Sequence, residues 1–180
     1  VAGPPPLPEL KSMPAPSEEV ACEFASIRGQ PIASRAVLIA ACGRFPILLE
    51  GPPGVGKSML ARALHEILPD LAVEERSEVA SIASAGGHAV GLSLRPPLRA
   101  PHHDITVAGL IGGGPRMTPG ELTWAHRGLL LLDEIGEFRR DALEALREPL
   151  ERGSVDLVRA GRAVRFPADA IVAATGNPCG

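Results

Sequence analysis

Residues 51–58 read Gly-Pro-Pro-Gly-Val-Gly-Lys-Ser and follow the apolar run Phe45-Pro-Ile-Leu-Leu-Glu50. A G-x-x-x-x-G-K-[ST] pattern between a strand and a helix commits the backbone to one arrangement, a loop that wraps an anion. Glycines let successive N–H groups turn inward on phosphate oxygens. Lys57 adds a positive charge for the β and γ phosphates, and Ser58 offers a hydroxyl to Mg²⁺. The helix that follows aims its positive end at the same point. Gly51, Pro52, Pro53, Gly54, Val55, Gly56, Lys57, Ser58 and Met59 are therefore expected around an ATP–Mg²⁺ complex.

The rest of the chain can support such a site. Its 180 residues are enough for one domain with its own core. No apolar run approaches the roughly 20 residues that span a bilayer, so no membrane partner is expected. Three scattered cysteines, Cys22, Cys42 and Cys179, argue against a disulfide framework and for a reducing, cytoplasmic setting. A net charge of −3, one Trp and no Tyr do not advertise extensive base stacking. Residues 1–21 are rich in Pro and read as a linker, which implies further chain upstream. The folded unit is expected over 22–180.

Helix and strand patterns alternate after the linker. Pro31 opens a helix to about Cys42, and Ile47–Glu50 is a strand. Lys57–Leu68 is a helix with Leu60, Ala63, Leu64, Ile67 and Leu68 on one face. Residues 74–84 read as a helix with Val79, Ile82 and Ala83 inward. Residues 85–120 are loop-rich, with a short helix at Ala108–Ile111; a stretch of this kind inside a compact domain tends to be functional. Leu129–Leu132 reads as a strand buried on both faces. Residues 139–152 form a helix with Ala142, Leu143, Leu146 and Leu150 inward and Pro149 disturbing its last turn. Ser154–Arg159 and Ala163–Phe166 flank Ala160-Gly161 as a β-hairpin. The last strand is Ala170–Thr175. The fold class is α/β: a P-loop NTPase αβα sandwich of three layers, with a mostly parallel sheet and an inserted hairpin.

The second half of the chemistry follows the leucine strand. Asp133 at its end can hold Mg²⁺ through water, and Glu134 can polarise a water for in-line attack on the γ-phosphate. Two acids are needed because the metal occupies one. Asn177, just past the last strand, can hydrogen-bond the γ-phosphate or the attacking water. An Asn before Pro178 is also an ordinary turn residue.

Ile27-Arg-Gly-Gln30, Gly51–Ser58, Leu98-Arg-Ala-Pro-His-His103, Leu110-Ile-Gly-Gly-Gly114, Pro119-Gly-Glu-Leu122, Ala125-His-Arg-Gly-Leu129, Leu132-Asp-Glu134 and Asn177-Pro-Cys179 occur in this order. Over about residues 22–180 the chain resembles the magnesium-chelatase-like AAA+ ATPases, and within them the ComM/YifB branch. The resemblance implies a hexameric ATPase that remodels DNA, of the kind associated with branch migration in natural transformation. It makes Lys57 and Ser58 the phosphate and Mg²⁺ ligands, Asp133 and Glu134 the metal and water carboxylates, and Asn177 sensor 1. It sets Ile27–Gln30 near the adenine, with Ile27 and Gln30 as contacts, and makes 85–120 the helix-2 insertion. The hairpin near 154–166 becomes the pre-sensor-1 hairpin pointing into the ring pore. In that setting Arg159, Arg162 and Arg165 would touch the DNA backbone; otherwise they form a solvated basic turn balanced by Glu148 and Glu151. The family's arginine finger and sensor-2 arginine fall beyond Asn177, so these residues alone are expected to bind nucleotide and hydrolyse it poorly. Gly180 replaces the Pro of the family's Asn-Pro-Cys-Pro-Cys, which puts a cysteine cluster at Cys179 in question.

His102-His103-Asp104 invites a metal reading, but adjacent side chains diverge along a chain and no Cys lies near. A loop or interface role is expected there. Two rivals to a DNA motor stand: an ATPase subunit of a metal chelatase acting on a tetrapyrrole-binding partner, and a nucleotide-dependent scaffold.

Overall fold

The computed structural model describes residues 23–87, 93–159 and 161–178. The readings placed on residues 1–21, Cys22 and Cys179 lie outside these. A four-stranded sheet organises the rest, in the order β1 (Ile47–Glu50), β8 (Ile171–Gly176), β5 (Leu129–Leu132), β2 (Leu98–Arg99). Every neighbouring pair is parallel. A parallel sheet needs cover on both faces, and alternation within β5 shows how it gets that cover. Leu129 and Leu131 enter one apolar cluster with Val37, Leu60 and Leu64; Leu130 and Leu132 enter another with Leu110, Leu122 and Leu146. The first cluster is built by helices α2 (Pro31–Gly43) and α3 (Lys57–Glu66). The second is built by α5 (Val107–Ile111), α6 (Glu121–Trp124) and α7 (Arg140–Arg152). Three layers result, the AAA+ P-loop fold.

The remaining elements are α1 (Glu23–Ser26), α4 (Val73–Ala85), a 3-10 turn (Ile135–Glu137), the β3–β4 ribbon (Gly112–Gly113 with Thr118–Pro119), and the hairpin β6–β7 (Ser154–Arg159 with Arg162–Pro167). Two local differences from the sequence reading have simple causes. α3 stops at Glu66, because Pro69 disfavours helix in the residue before it. α7 runs on through Pro149 to Arg152, with Pro149 on the inner face beside Ala142 and Leu146, while Leu150 is exposed. Positions 142, 146 and 149 follow the helical repeat better than 150 does. β1 is an edge strand, so Leu48 is exposed and only Leu49 is buried.

A polar clamp holds the N-terminal ends of the strands. The Asp169 N–H donates to His126 Nδ1 at 3.1 Å, so the ring proton sits on Nε2 and is donated to Glu78 at 3.1 Å. Arg127 bonds Glu78 at 2.8 Å and Asp169 at 2.7 Å. Burial pushes the His126 imidazole pKa down, against the raising effect of the Glu78 hydrogen bond. A cavity of 600 Å³ opens beside this clamp, between α4 and the hairpin base. Its charged groups are all paired, Glu78, Arg127 and Asp169 with one another and Arg165 with Asp156, so its size alone carries no chemistry.

Candidate nucleotide site

The sheet directs its chemistry to the opposite, C-terminal, ends of the strands. β1 ends at Glu50 and the loop turns at once, with Gly54 at φ 80° and Gly56 at φ 89°. Both values lie where only glycine is unstrained. Gly56 caps α3, so the first turn of that helix opens into a cavity of 310 Å³. The cavity is lined by Pro53, Gly54, Gly56, Lys57, Ser58 and Met59 from the loop and by Glu134, Thr175, Gly176 and Asn177 from β5 and β8. Gly51 joins the loop to β8 through its N–H to Gly176 O at 3.3 Å.

Side chains expected to act together do meet. Lys57 Nζ donates to Gly51 O at 2.7 Å, Pro52 O at 2.9 Å and Asn177 Oδ1 at 2.9 Å. Ser58 Oγ donates to Asp133 Oδ1 at 2.7 Å. A hydroxyl and a carboxylate at this spacing are hard oxygen donors suited to Mg²⁺. Helix-end N–H groups, positive-φ glycines and one ammonium suit a polyphosphate. The donor set therefore fits a magnesium nucleotide. Ser58 and Asp133 would hold the metal, which when bound would screen phosphate charge and fix the oxygens for attack.

Gln30 reaches the loop as well, its amide donating to Val55 O at 3.0 Å. Ile27 packs against the α2–α3 core cluster and is not among the residues that line the cavity.

A family model described as "Magnesium chelatase, subunit ChlI" matches residues 23–180, a span that includes every described residue. The chain belongs to the magnesium chelatase ChlI family. This family is of the AAA+ ATPase type, with nucleotide and Mg²⁺ use in general. Among curated relatives, "Uncharacterized protein Rv2897c" of Mycobacterium tuberculosis is 46% identical over 165 residues, covering 89% of this chain and 33% of that protein. "Competence protein ComM" of Haemophilus influenzae is 42% identical over 158 residues, covering 87% of this chain and 31% of that protein. The chain thus spans about a third of the length of these relatives. A cryo-EM assembly of magnesium chelatase subunits BchI and BchD matches with TM-score 0.66 and 23% identity, over 88% of this chain and 55% of that one. That likeness speaks for the fold.

Within this ChlI-family site, one participant escaped the sequence reading. Thr175 is buried, and its hydroxyl donates to Asp133 Oδ1 at 2.5 Å while accepting the Glu134 N–H at 2.9 Å. It joins the two carboxylate residues through one oxygen. The only sequence signal was its place two residues before Asn177 at the end of a central strand. Glu134 itself adopts φ 57°, ψ 56°, a left-handed conformation rare outside glycine.

The three hairpin arginines differ in their surroundings. Arg159 and Arg162 are opposite each other at the hairpin tip, next to Gly161 at φ 77°. Arg165 lies further down β7, and its guanidinium forks onto Asp156 at 2.6 and 3.0 Å. That pairing holds the Asp156 carboxyl below its usual range. No helix among the described residues is long and apolar enough to cross a membrane.

Proposed function

We propose that this chain is the ATP-hydrolysing core of a ring-forming motor that remodels DNA. The convergence of Lys57, Ser58, Glu134 and Asn177 on one cavity, with Asp133 bonded to Ser58, carries the ATPase part. Lys57 holds the β and γ phosphates. Ser58 and Asp133 position the metal. Glu134, its backbone anchored on Thr175, accepts a proton from the attacking water. Asn177 orients that water or the γ-phosphate. Lys57 is the only cation among the described residues that line the cavity. Phosphoryl transfer at such a site calls for an arginine from outside it, and a neighbouring copy is the usual source. This supports a ring, hexameric as the resemblance implies. The paired tip arginines, Arg159 and Arg162, support DNA as the load.

A second reading is favoured by the match to the ChlI model and to the BchI–BchD assembly: an ATPase subunit that drives metal insertion with a protein partner. ATP turnover by the full-length parent, with and without branched DNA, separates the two. Strong stimulation by DNA, lost in Lys57→Ala, supports the motor. Turnover indifferent to DNA favours the chelatase reading. Glu134→Gln should keep ATP bound and slow hydrolysis about 10²–10⁴-fold; turnover at the parental rate would remove Glu134 from the mechanism.

A further inference from the structure

A second group of ligating side chains shares no residue with the nucleotide cavity or with the Ser58–Asp133 pair. β2 ends at Arg99, and the chain turns over the C-terminal side of the sheet, closed by the Ile105 N–H donating to His102 O at 3.0 Å. Adjacent side chains were expected to diverge here; the turn brings them together instead. The rings of His102 and His103 lie 4.0 Å apart between centres, tilted by 35°. Asp104 sets Oδ2 3.3 Å from His102 Nδ1 and Oδ1 3.9 Å from His103 Nε2. One donor atom from each of the three lies within 4.8 Å of the others. A four-coordinate ion with bonds of about 2.0–2.1 Å holds its ligand atoms roughly 3.3 Å apart. Small side-chain rotations close that gap.

Two further observations separate this cluster from a chance surface grouping. The His103 ring meets Phe138 edge-on at 6.5 Å, and Phe138 belongs to the buried core, so one ligand is already oriented. Among the described residues the Asp104 carboxylate meets two imidazoles and no arginine or lysine.

We infer that His102, His103 and Asp104 bind a borderline divalent cation of the Zn²⁺ class, at a site separate from that of the nucleotide's Mg²⁺. Two imidazole nitrogens and one carboxylate match Zn²⁺, Co²⁺ or Ni²⁺, whereas Mg²⁺ prefers oxygen donors. The side chains of His102 and Asp104 are 71% and 83% exposed, so the remaining positions face solvent and take water.

Co²⁺ titration in excess Mg²⁺, read by calorimetry and by the visible absorbance of bound Co²⁺, tests this. One equivalent should bind. His102→Ala and Asp104→Ala should each weaken binding at least tenfold, and Asp133→Asn should leave it unchanged. Both ligand positions are exposed, and a thermal melt checks that the variants fold. Absence of saturable binding overturns the inference. So does unchanged affinity in both ligand variants, which would give the ion to other histidines or to the cysteines. Loss of binding in Asp133→Asn would assign the ion to the nucleotide site.

Discussion

At the scale of single residues, the site depends on atoms that serve two partners. Thr175 Oγ1 touches both Asp133 and the Glu134 backbone. Thr175→Val keeps the shape and removes the hydroxyl, which takes the acceptor from a partly buried N–H. A loss of about 0.5–1.5 kcal/mol in stability follows. Hydrolysis should fall more than ATP affinity, because Lys57 and the loop backbone are untouched. Equal losses in fluorescent-nucleotide binding and in turnover would contradict this division. Glu134 is held in left-handed backbone at φ 57°, which costs a non-glycine residue about 1 kcal/mol. Glu134→Gly should therefore melt at the parental temperature or a few degrees above it while losing hydrolysis. A marked drop in melting temperature would mean that the carboxylate, and not the backbone, holds this turn.

At the scale of elements, the hairpin is where charge and geometry part company. Arg159, Arg162 and Arg165 look equivalent along the sequence. Pairing across β6 and β7 leaves two of them opposite each other at the tip and engages the third with Asp156. If the tip meets DNA phosphates, Arg159→Ala with Arg162→Ala should flatten the slope of log affinity against log salt by about 2. Arg165→Ala should change that slope less. Equal changes for all three would place Arg165 on DNA too. Much of the candidate nucleotide site was legible beforehand. The eight-residue loop, the four leucines and the acidic pair pointed to residues that the fold brings together, because each motif imposes its own backbone. Thr175 was not legible, since a Thr ending a strand looks like any β-former. The Arg165–Asp156 pair was hidden because it depends on register, which composition does not encode. The convergence of His102, His103 and Asp104 depended on a turn that the spacing alone did not show.

At the scale of the whole molecule, polar groups sit at both ends of the sheet and do different work. The nucleotide residues gather at the C-terminal ends of the strands, and the His126 clamp fastens α4 to the N-terminal ends. Glu78 faces His126 at Nε2 and Asp169 at Nδ1, and Arg127, bonded to both acids, is the nearby cation. Burial holds the imidazole pKa below its ordinary value of about 6.5. The unfolded chain therefore takes up this proton first as the solution is acidified. The contribution is complete above about pH 6.5 and is lost as pH falls below it. Glu78 stays ionised through that window, its pKa lowered chiefly by the Arg127 hydrogen bond. Thermal melts from pH 8 to 5.5 should show falling stability in the parent and a flatter profile in His126→Gln. Parallel profiles would assign the acid sensitivity elsewhere.

The hairpin has one more consequence, and it is mechanical. Its second strand runs through Asp169 into β8, which is laddered on one side to β1 and on the other to β5. Tension applied at the tip would enter the sheet along a strand gripped from both flanks. Two rows of bonds must then slip together before the strand can move. A subunit wired in this way can be pulled on without being peeled apart.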